Sequence, residues 1–264
     1  MRNVEVLFED SAVLLTCEKR ILVVSDIHLG YEIELAKKGL SLPKRALIIA
    51  EKLNKIGREH KVDNLFILGD IKHKVAWASF SESMQVRTFF NKLQDQFKDI
   101  MITLGNHDGG IKSLLPSTVK VAGSKGVILG YGNKSYALLH GHAWPKPESI
   151  NASCIIIGHG HYMVELKDGL GLRLFEPVWL IGKINRNKYL DEYPMQKSNC
   201  KRHAGNIEII ILPAFNRIVG GIPINKMGKK QKGPLFKCLA EEETKLYLMD
   251  GTYLTTLSGI KEIK

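Results

Sequence analysis

The sequence predicts an α/β fold. Eight short apolar runs have β character, helical periodicity fills the spaces between the third and fifth of them, and the 264-residue chain is 44% hydrophobic and 25% charged. That length allows one large domain with a sizeable core. "VEVLF" (4–8) and "AVLLT" (12–16) read as a hairpin, and "ILVVS" (21–25) is a continuous apolar run, as expected of a strand buried on both faces. A helix follows over 43–60, with Pro43 at its start and Ile49, Leu53 and Ile56 on one face. "NLFIL" (64–68) is the next strand, followed by a helix over 81–97 with Ser81 as N-cap, and then by the strand "IMITL" (100–104). This alternation implies parallel pairing. The 117–140 region, ending in "YALLH" (136–140), reads as hairpin-like, and "CIIIG" (154–158) and "IEIIIL" (207–212) complete the strands. The texture changes after about residue 214. The Gly, Pro and Lys content of 220–236 predicts an exposed loop, and Asp250-Gly251 within "KLYLMDGTYLTTL" (245–257) predicts a hairpin. Residues 1–215 are therefore expected to form the main domain, with 216–264 as a C-terminal extension packed on it.

Composition excludes disordered and collagen-like classes. No apolar run approaches the roughly 20 residues of a membrane span, so no membrane association is expected. "MRNVEVLFED" lacks a signal-peptide core, which points to the cytoplasm. Cys17, Cys154, Cys200 and Cys238 lie far apart and read as reduced thiols. Cys200 and His203 have a ligand-like spacing but no second pair to complete a zinc site. The net charge of +11 draws polyanions, so nucleic acid, anionic lipid and phosphorylated substrates are all candidates beside a merely basic surface.

Seven of the nine histidines fall in short motifs, each just after an apolar run: "DIH" (Asp26, His28), "GDIKH" (Asp70, His73), "GNHD" (Asn106, His107, Asp108), "HGH" (His140, His142) and "GHGH" (His159, His161). Ligands of open α/β sheets bind beyond the carboxyl ends of the strands, and the glycines in these motifs allow sharp turns and close approach. The donors are carboxylate, amide oxygen and imidazole without thiolate, which suits manganese, iron, zinc or nickel. They are too many for one tetrahedral ion and enough for two divalent ions sharing a bridging carboxylate. Ions so paired, about 3.5–4 Å apart, clamp a phosphoryl group and activate water as hydroxide.

In this order the five motifs resemble those of the calcineurin-like metallophosphoesterase superfamily, over roughly residues 18 to 165. The tail, including "ILPAFNRIVGG", resembles the archaeal ICC-like branch related to SbcD-type DNA-repair nucleases. The resemblance implies a four-layer double β-sandwich flanked by helices. It places one metal on Asp26, His28, Asp70 and His161 and a second on Asp70, Asn106, His140 and His159, with manganese the first choice and Asp70 bridging. His107 would contact the phosphate or protonate the leaving oxygen, and His142 would face the substrate. Relatives of this kind form dimers, so a homodimer is also admitted.

One position departs from the protein Ser/Thr phosphatases, where the third residue after the bridging Asp is an Asp paired with the catalytic His. Here it is His73. That leaves Asp108 to orient His107, or His73 to touch substrate itself. Lys44 and Arg45 in "LSLPKR" are candidate phosphate contacts, against the plainer reading of a solvated helix start. Trp144 either stacks on a base or packs. "GKINRNKY" (182–189) and "NKMGKKQKG" (225–233) concentrate positive charge for nucleic-acid contact. The leading functional expectation is a metal-dependent nuclease or phosphodiesterase. A small-molecule nucleotide phosphodiesterase or phosphatase is the alternative, and a non-catalytic scaffold would have lost ligand positions that are all filled here.

Overall fold

A computed structural model of the protein describes residues 3–194, 205–227 and 233–263. The chain opens with β1 (Val4–Leu7), β2 (Ala12–Thr16) and β3 (Arg20–Val24), paired antiparallel in succession. After α1 (Tyr31–Lys37) and α2 (Ala46–Glu59), β4 (Asn64–Ile67) pairs parallel with β3. Next come α3 (Phe80–Leu93), β5 (Asp99–Thr103) and β6 (Lys120–Ala122), the two strands adding parallel in turn. These six strands form one sheet in sequence order.

The chain then forms β7 (Val127–Leu129), β8 (Tyr136–Leu138), β9 (Cys154–Ile157), β10 (Tyr162–Lys167), β11 (Arg173–Pro177) and β12 (Trp179–Asn185). It continues through α4 (Arg186–Glu192), β13 (Asn206–Ile211), β14 (Ile222–Pro223), β15 (Lys245–Tyr247) and β16 (Tyr253–Thr256). Seven of these strands make a second sheet, ordered β16-β15-β12-β13-β9-β8-β7, and β11-β10-β14 make a third.

Period-two alternation explains the layering. Val13 and Leu15 of β2, with Val23, Phe66 and Leu68, face the second sheet and meet Tyr136, Leu138, Ile156, Trp179 and Ile210. Ala12 and Leu14 point the other way, against α2 and α3. Helix α2 buries Ile49, Ala50, Leu53 and Ile56, an i, i+4, i+7 stripe. The far face of the second sheet is covered by Tyr162 and Val164 of β10, Tyr189 of α4, and Leu235, Phe236, Leu257 and Ile260. The result is two face-packed sheets between outer layers, the double sandwich that the resemblance implies.

Several local readings are corrected. Pro43 precedes α2, which starts at Ala46. Ser79, not Ser81, caps α3: its hydroxyl accepts from the Glu82 N–H while the Glu82 carboxylate accepts from the Ser79 N–H, a capping box. In the 117–140 region β7 and β8 form the expected antiparallel hairpin, while β6 belongs to the first sheet. Strands β10 to β12 and α4 escape sequence reading; β11 is exposed along most of its length, with Leu174 and Phe175 in water. Residues 220–236 are not simply loop, since β14 pairs with β10 and Ile224, Leu235 and Phe236 are buried. The Asp250-Gly251 hairpin forms, with Gly251 at φ 85°. Cys17, Cys154 and Cys238 are free thiols, whereas Cys200 and His203 lie outside the described residues. Among the described residues no helix is long and apolar enough to cross a membrane.

Candidate metal centre

The strands end one residue or more before each motif, so the chain leaves the ladder where the polar side chains begin. Seven described non-glycine residues have positive φ, and five of them are Asp26, His28, Asp70, His159 and His161. A left-handed backbone costs a residue with a Cβ about 1–2 kcal/mol. Such strain persists only where surrounding structure enforces it. Here the His28 N–H donates to the Asp70 carbonyl (2.8 Å) and the Asp26 N–H to the Gly69 carbonyl (3.3 Å). Buried Asn216 donates from Nδ2 to the Ile27 carbonyl (2.9 Å). Asp26 Oδ2 accepts the His159 N–H (3.0 Å), which joins the first motif to the last.

Three groups of donors result, His28–His73–His107 being all imidazole and the other two each carrying a carboxylate. Around His161 Nε2 lie Asp26 Oδ1 at 2.9 Å and His28 Nε2 at 3.2 Å. Around His140 Nε2 lie Asp70 Oδ2, Asn106 Oδ1 and His159 Nδ1, each at 3.2 Å. The other nitrogen of each central ring is held by a backbone carbonyl, His140 Nδ1 by Leu68 (2.6 Å) and His161 Nδ1 by Gly220 (3.3 Å). A proton on Nδ1 leaves Nε2 as a lone pair facing carboxylate, amide oxygen and a further imidazole. Such a convergence calls for positive charge among these groups, a proton on the imidazole or a metal cation in its place. His28 Nδ1 is also buried without a hydrogen-bond partner. The donors therefore fit divalent metal ions, and Asp26–His28–His161 and Asp70–His140–His159 are both geometrically able to hold one.

Electrostatics agree. Burial, aided by neighbouring imidazoles, pulls His28 down to about 3 and His159 to about 4, so both rings are neutral at pH 7. Burial also disfavours charge on His140, but its hydrogen bond to Asp70 and the charges of Asp26 and Asp70 outweigh this and raise it to about 9. Burial opposes ionisation of Asp26 and Asp70, yet their imidazole neighbours hold both below the usual carboxylate range. The metal-free centre thus carries a proton on His140 at neutral pH that a cation must displace. Metal loading at pH 7 is expected to release at least one proton per chain, because the carboxylates raise both His140 and His161, and affinity to weaken as pH falls. Calorimetry in two buffers of different ionisation enthalpy measures this; identical heats would contradict it.

His107 and His73 form the rim on the His28 side. The His107 N–H donates to Asp70 Oδ1 (2.9 Å), its ring Nδ1–H donates to the His73 carbonyl, and Nε2 lies 4.0 Å from Asp70 Oδ2. The His73 ring stacks beside His107 at 5.6 Å. Its Nε2 bonds to Glu34 of α1 at 2.8 Å, a partner the sequence reading missed. Glu34 forms an i, i+4 pair with Lys38, which in sequence reads as a solvated face; its place on the helix after the first motif was the available signal. The expectation that Asp108 orients His107 is corrected. The Asp108 carboxylate is buried and accepts the N–H groups of Asp70 (2.8 Å), Gly105 (2.8 Å) and Ile71 (2.9 Å), which pins the second motif to the third.

His142 lies beside the second cluster, its ring 5.3 Å from His140 and 5.9 Å from His159. Lys44 is exposed and Arg45 precedes the first turn of α2; among the described residues neither bonds to the histidine clusters. Trp144 packs against Tyr189 and Tyr193, so it is a packing residue rather than a free stacking face. Within 182–189, Lys183 is paired with Glu243 and Tyr189 is buried. Lys229, Lys230 and Lys232 of the other basic run lie outside the described residues.

Glycines permit the convergence. A Cβ on Gly158 would lie 1.8 Å from Ser25 Oγ and 2.4 Å from Asp26 Oδ2. Gly158→Ala is therefore expected to displace Asp26 and cost about 1–3 kcal/mol of stability. A thermal melt unchanged from wild type, with full metal content, would contradict this.

The chain matches the family described as calcineurin-like phosphoesterase over residues 19–168, more than half its length. Among solved structures, nuclease MPE of Pseudomonas putida is similar over 95% of this chain and 94% of that one, at 20% identity and a TM-score of 0.57. Yfce, a phosphoesterase from E. coli, aligns over 59% of this chain and 76% of that one, at 19% identity and a TM-score of 0.36. No curated protein matches the chain by sequence. The five motifs, the paired clusters of metal donors and the family match together make this chain a member of the calcineurin-like phosphoesterase family, a metal-dependent hydrolase of phosphoesters.

Proposed function

We propose that the protein is a dinuclear-metal phosphodiesterase that cleaves nucleic acid. The observation that carries the dinuclear reading is the position of Asp70 Oδ2, 3.2 Å from His140 Nε2 in one cluster and 3.6 Å from His28 Nε2 in the other. Two divalent ions held by Asp26, His28 and His161 and by Asp70, His140 and His159, manganese by first preference and iron, zinc or nickel as alternatives, would activate water and neutralise charge on the phosphoryl oxygens. The protein's own residues do the rest. Asp70 lies between the clusters as the one shared anion. Asn106 contributes a neutral oxygen, which avoids excess negative charge where a phosphate must enter. With Nδ1 anchored on the His73 carbonyl, His107 in its imidazolium form offers the Nε2 proton to the leaving oxygen.

Nucleic acid as substrate is supported by the net charge of +11 and by likeness to a nuclease along almost the whole chain. A place in the archaeal ICC-like, SbcD-related branch, with a role in DNA repair, and assembly as a homodimer are part of the same proposal. The test is incubation of end-labelled single- and double-stranded DNA with the manganese-loaded protein, with Asp70→Ala as control. Cleavage by the wild type alone supports the reading. Turnover of small phosphodiesters without binding or cutting of nucleic acid at moderate salt would overturn it in favour of a small-molecule phosphodiesterase.

A further inference from the structure

The segment that follows the bridging aspartate carries a feature the metal chemistry does not use. Trp77 is 79% exposed, and Phe80, three residues on, is 84% exposed. The chain's other two tryptophans are occupied, Trp179 in the core between the sheets and Trp144 against two tyrosines. Trp77 instead leaves its indole in water on the loop that carries His107.

The loop beneath it is fastened on every side. Lys72 is fully buried and its ammonium donates to the carbonyls of Lys74 and Ala76, the latter at 2.6 Å. The N–H groups of His73 and Lys74 donate to Glu82 Oε1 at 2.9 and 2.8 Å. The His73 carbonyl accepts from His107, and the Trp77 ring lies on the backbone of Gly110, where a Cβ would come within 2.8 Å of Cε3 and Cζ3. Gly109 makes room in the same way for the Val75 carbonyl. The indole therefore stands on a rigid support built from the His107 loop, four residues from His73 and three residues beyond His107 through Gly110. Exposed Lys74 and Lys112 lie in the two segments, and the buried acids nearby, Glu82 and Asp108, have their carboxylates committed to backbone N–H groups.

We propose that Trp77 is a stacking platform for an unpaired base of the nucleic-acid strand whose scissile phosphate lies at the metal centre, so that the enzyme favours single-stranded or frayed segments over continuous duplex. This rests on the nucleic-acid reading above. A rigid, solvent-facing aromatic with cationic neighbours is the arrangement that binds a strand without reading its sequence, because every base has a π-face. Continuous duplex keeps its bases stacked on one another and cannot offer that face.

The test is titration of the manganese-loaded 264-residue chain with a single-stranded oligothymidine whose phosphorothioate linkages resist turnover. Tryptophan emission and the anisotropy of a labelled copy of the oligomer are followed together. The expected result is quenching of wild-type emission that is absent in Trp77→Phe. Trp77→Ala is expected to raise Kd, and KM in the metal-loaded assay, by about 10-fold or more for single strands, with Trp77→Phe intermediate and thermal melts unchanged. Binding by anisotropy with unchanged emission, or with equal Kd in Trp77→Ala, overturns the stacking role and leaves the nuclease reading standing. A wild-type dimer in sedimentation that Trp77→Ala dissociates, without change in oligomer affinity, overturns it in favour of contact with a second copy of this chain. No binding or cleavage of any nucleic acid overturns both readings.

Discussion

Replacing Asp70 with alanine is expected to abolish phosphoester hydrolysis, with a fall of more than about 10³-fold, and to strip metal from both clusters. The effect follows from position. Asp70 is 2% exposed and its Oδ2 serves both clusters, so its loss leaves two adjacent cation sites with no anion between them. Alanine also removes the acceptor of the His107 N–H, which would confuse a structural with an electrostatic cause. Asp70→Asn separates them, because the amide oxygen keeps that hydrogen bond while the charge is gone. The same loss is expected in both variants. Full turnover by Asp70→Asn would show that the carboxylate charge is dispensable.

Replacing His107 with glutamine should instead lower kcat by about 10²–10⁴-fold while leaving the metal content intact. Its ring nitrogen lies 4.0 Å from Asp70 Oδ2, beyond the contact distances within either cluster, and its side chain is partly open to solvent. If the ring delivers a proton to the leaving oxygen, the loss should shrink for a p-nitrophenyl ester, whose leaving group needs little protonation. An equal loss for activated and unactivated esters would make His107 a phosphate-contacting group only. Loss of metal in the variant would contradict its place outside the clusters.

The parts of this centre legible in the sequence are those whose chemistry is local. "DIH", "GDIKH", "GNHD", "HGH" and "GHGH" pair unusual donors with the ends of apolar runs, and strand direction alone suffices to bring them to one edge. The first sheet was legible for the same reason, since β3, β4 and β5 are buried on both faces and read as unbroken apolar runs. What escaped depends on distant partners. Asp108 looks like a third-motif acid beside His107, but its carboxylate is spent on three backbone N–H groups of two loops, a role set by the tertiary fold. Glu34 is indistinguishable in sequence from any solvated helix glutamate until α1 places it on His73. Lys72 reads as an exposed lysine between apolar and polar neighbours, yet it is buried as a clamp on backbone carbonyls. The strand β14 is two residues long in a Gly- and Pro-rich stretch and owes its existence to pairing with β10 rather than to its own propensity.

The central claim is that the two donor clusters hold two cations at once. Metal content per chain, measured by elemental mass spectrometry after manganese loading and exhaustive dialysis, tests it most directly. The structure predicts two ions per wild-type chain and one in His161→Ala, which removes a donor from the Asp26 cluster alone. One ion or none in the wild type, or two retained in that variant, would contradict the dinuclear centre.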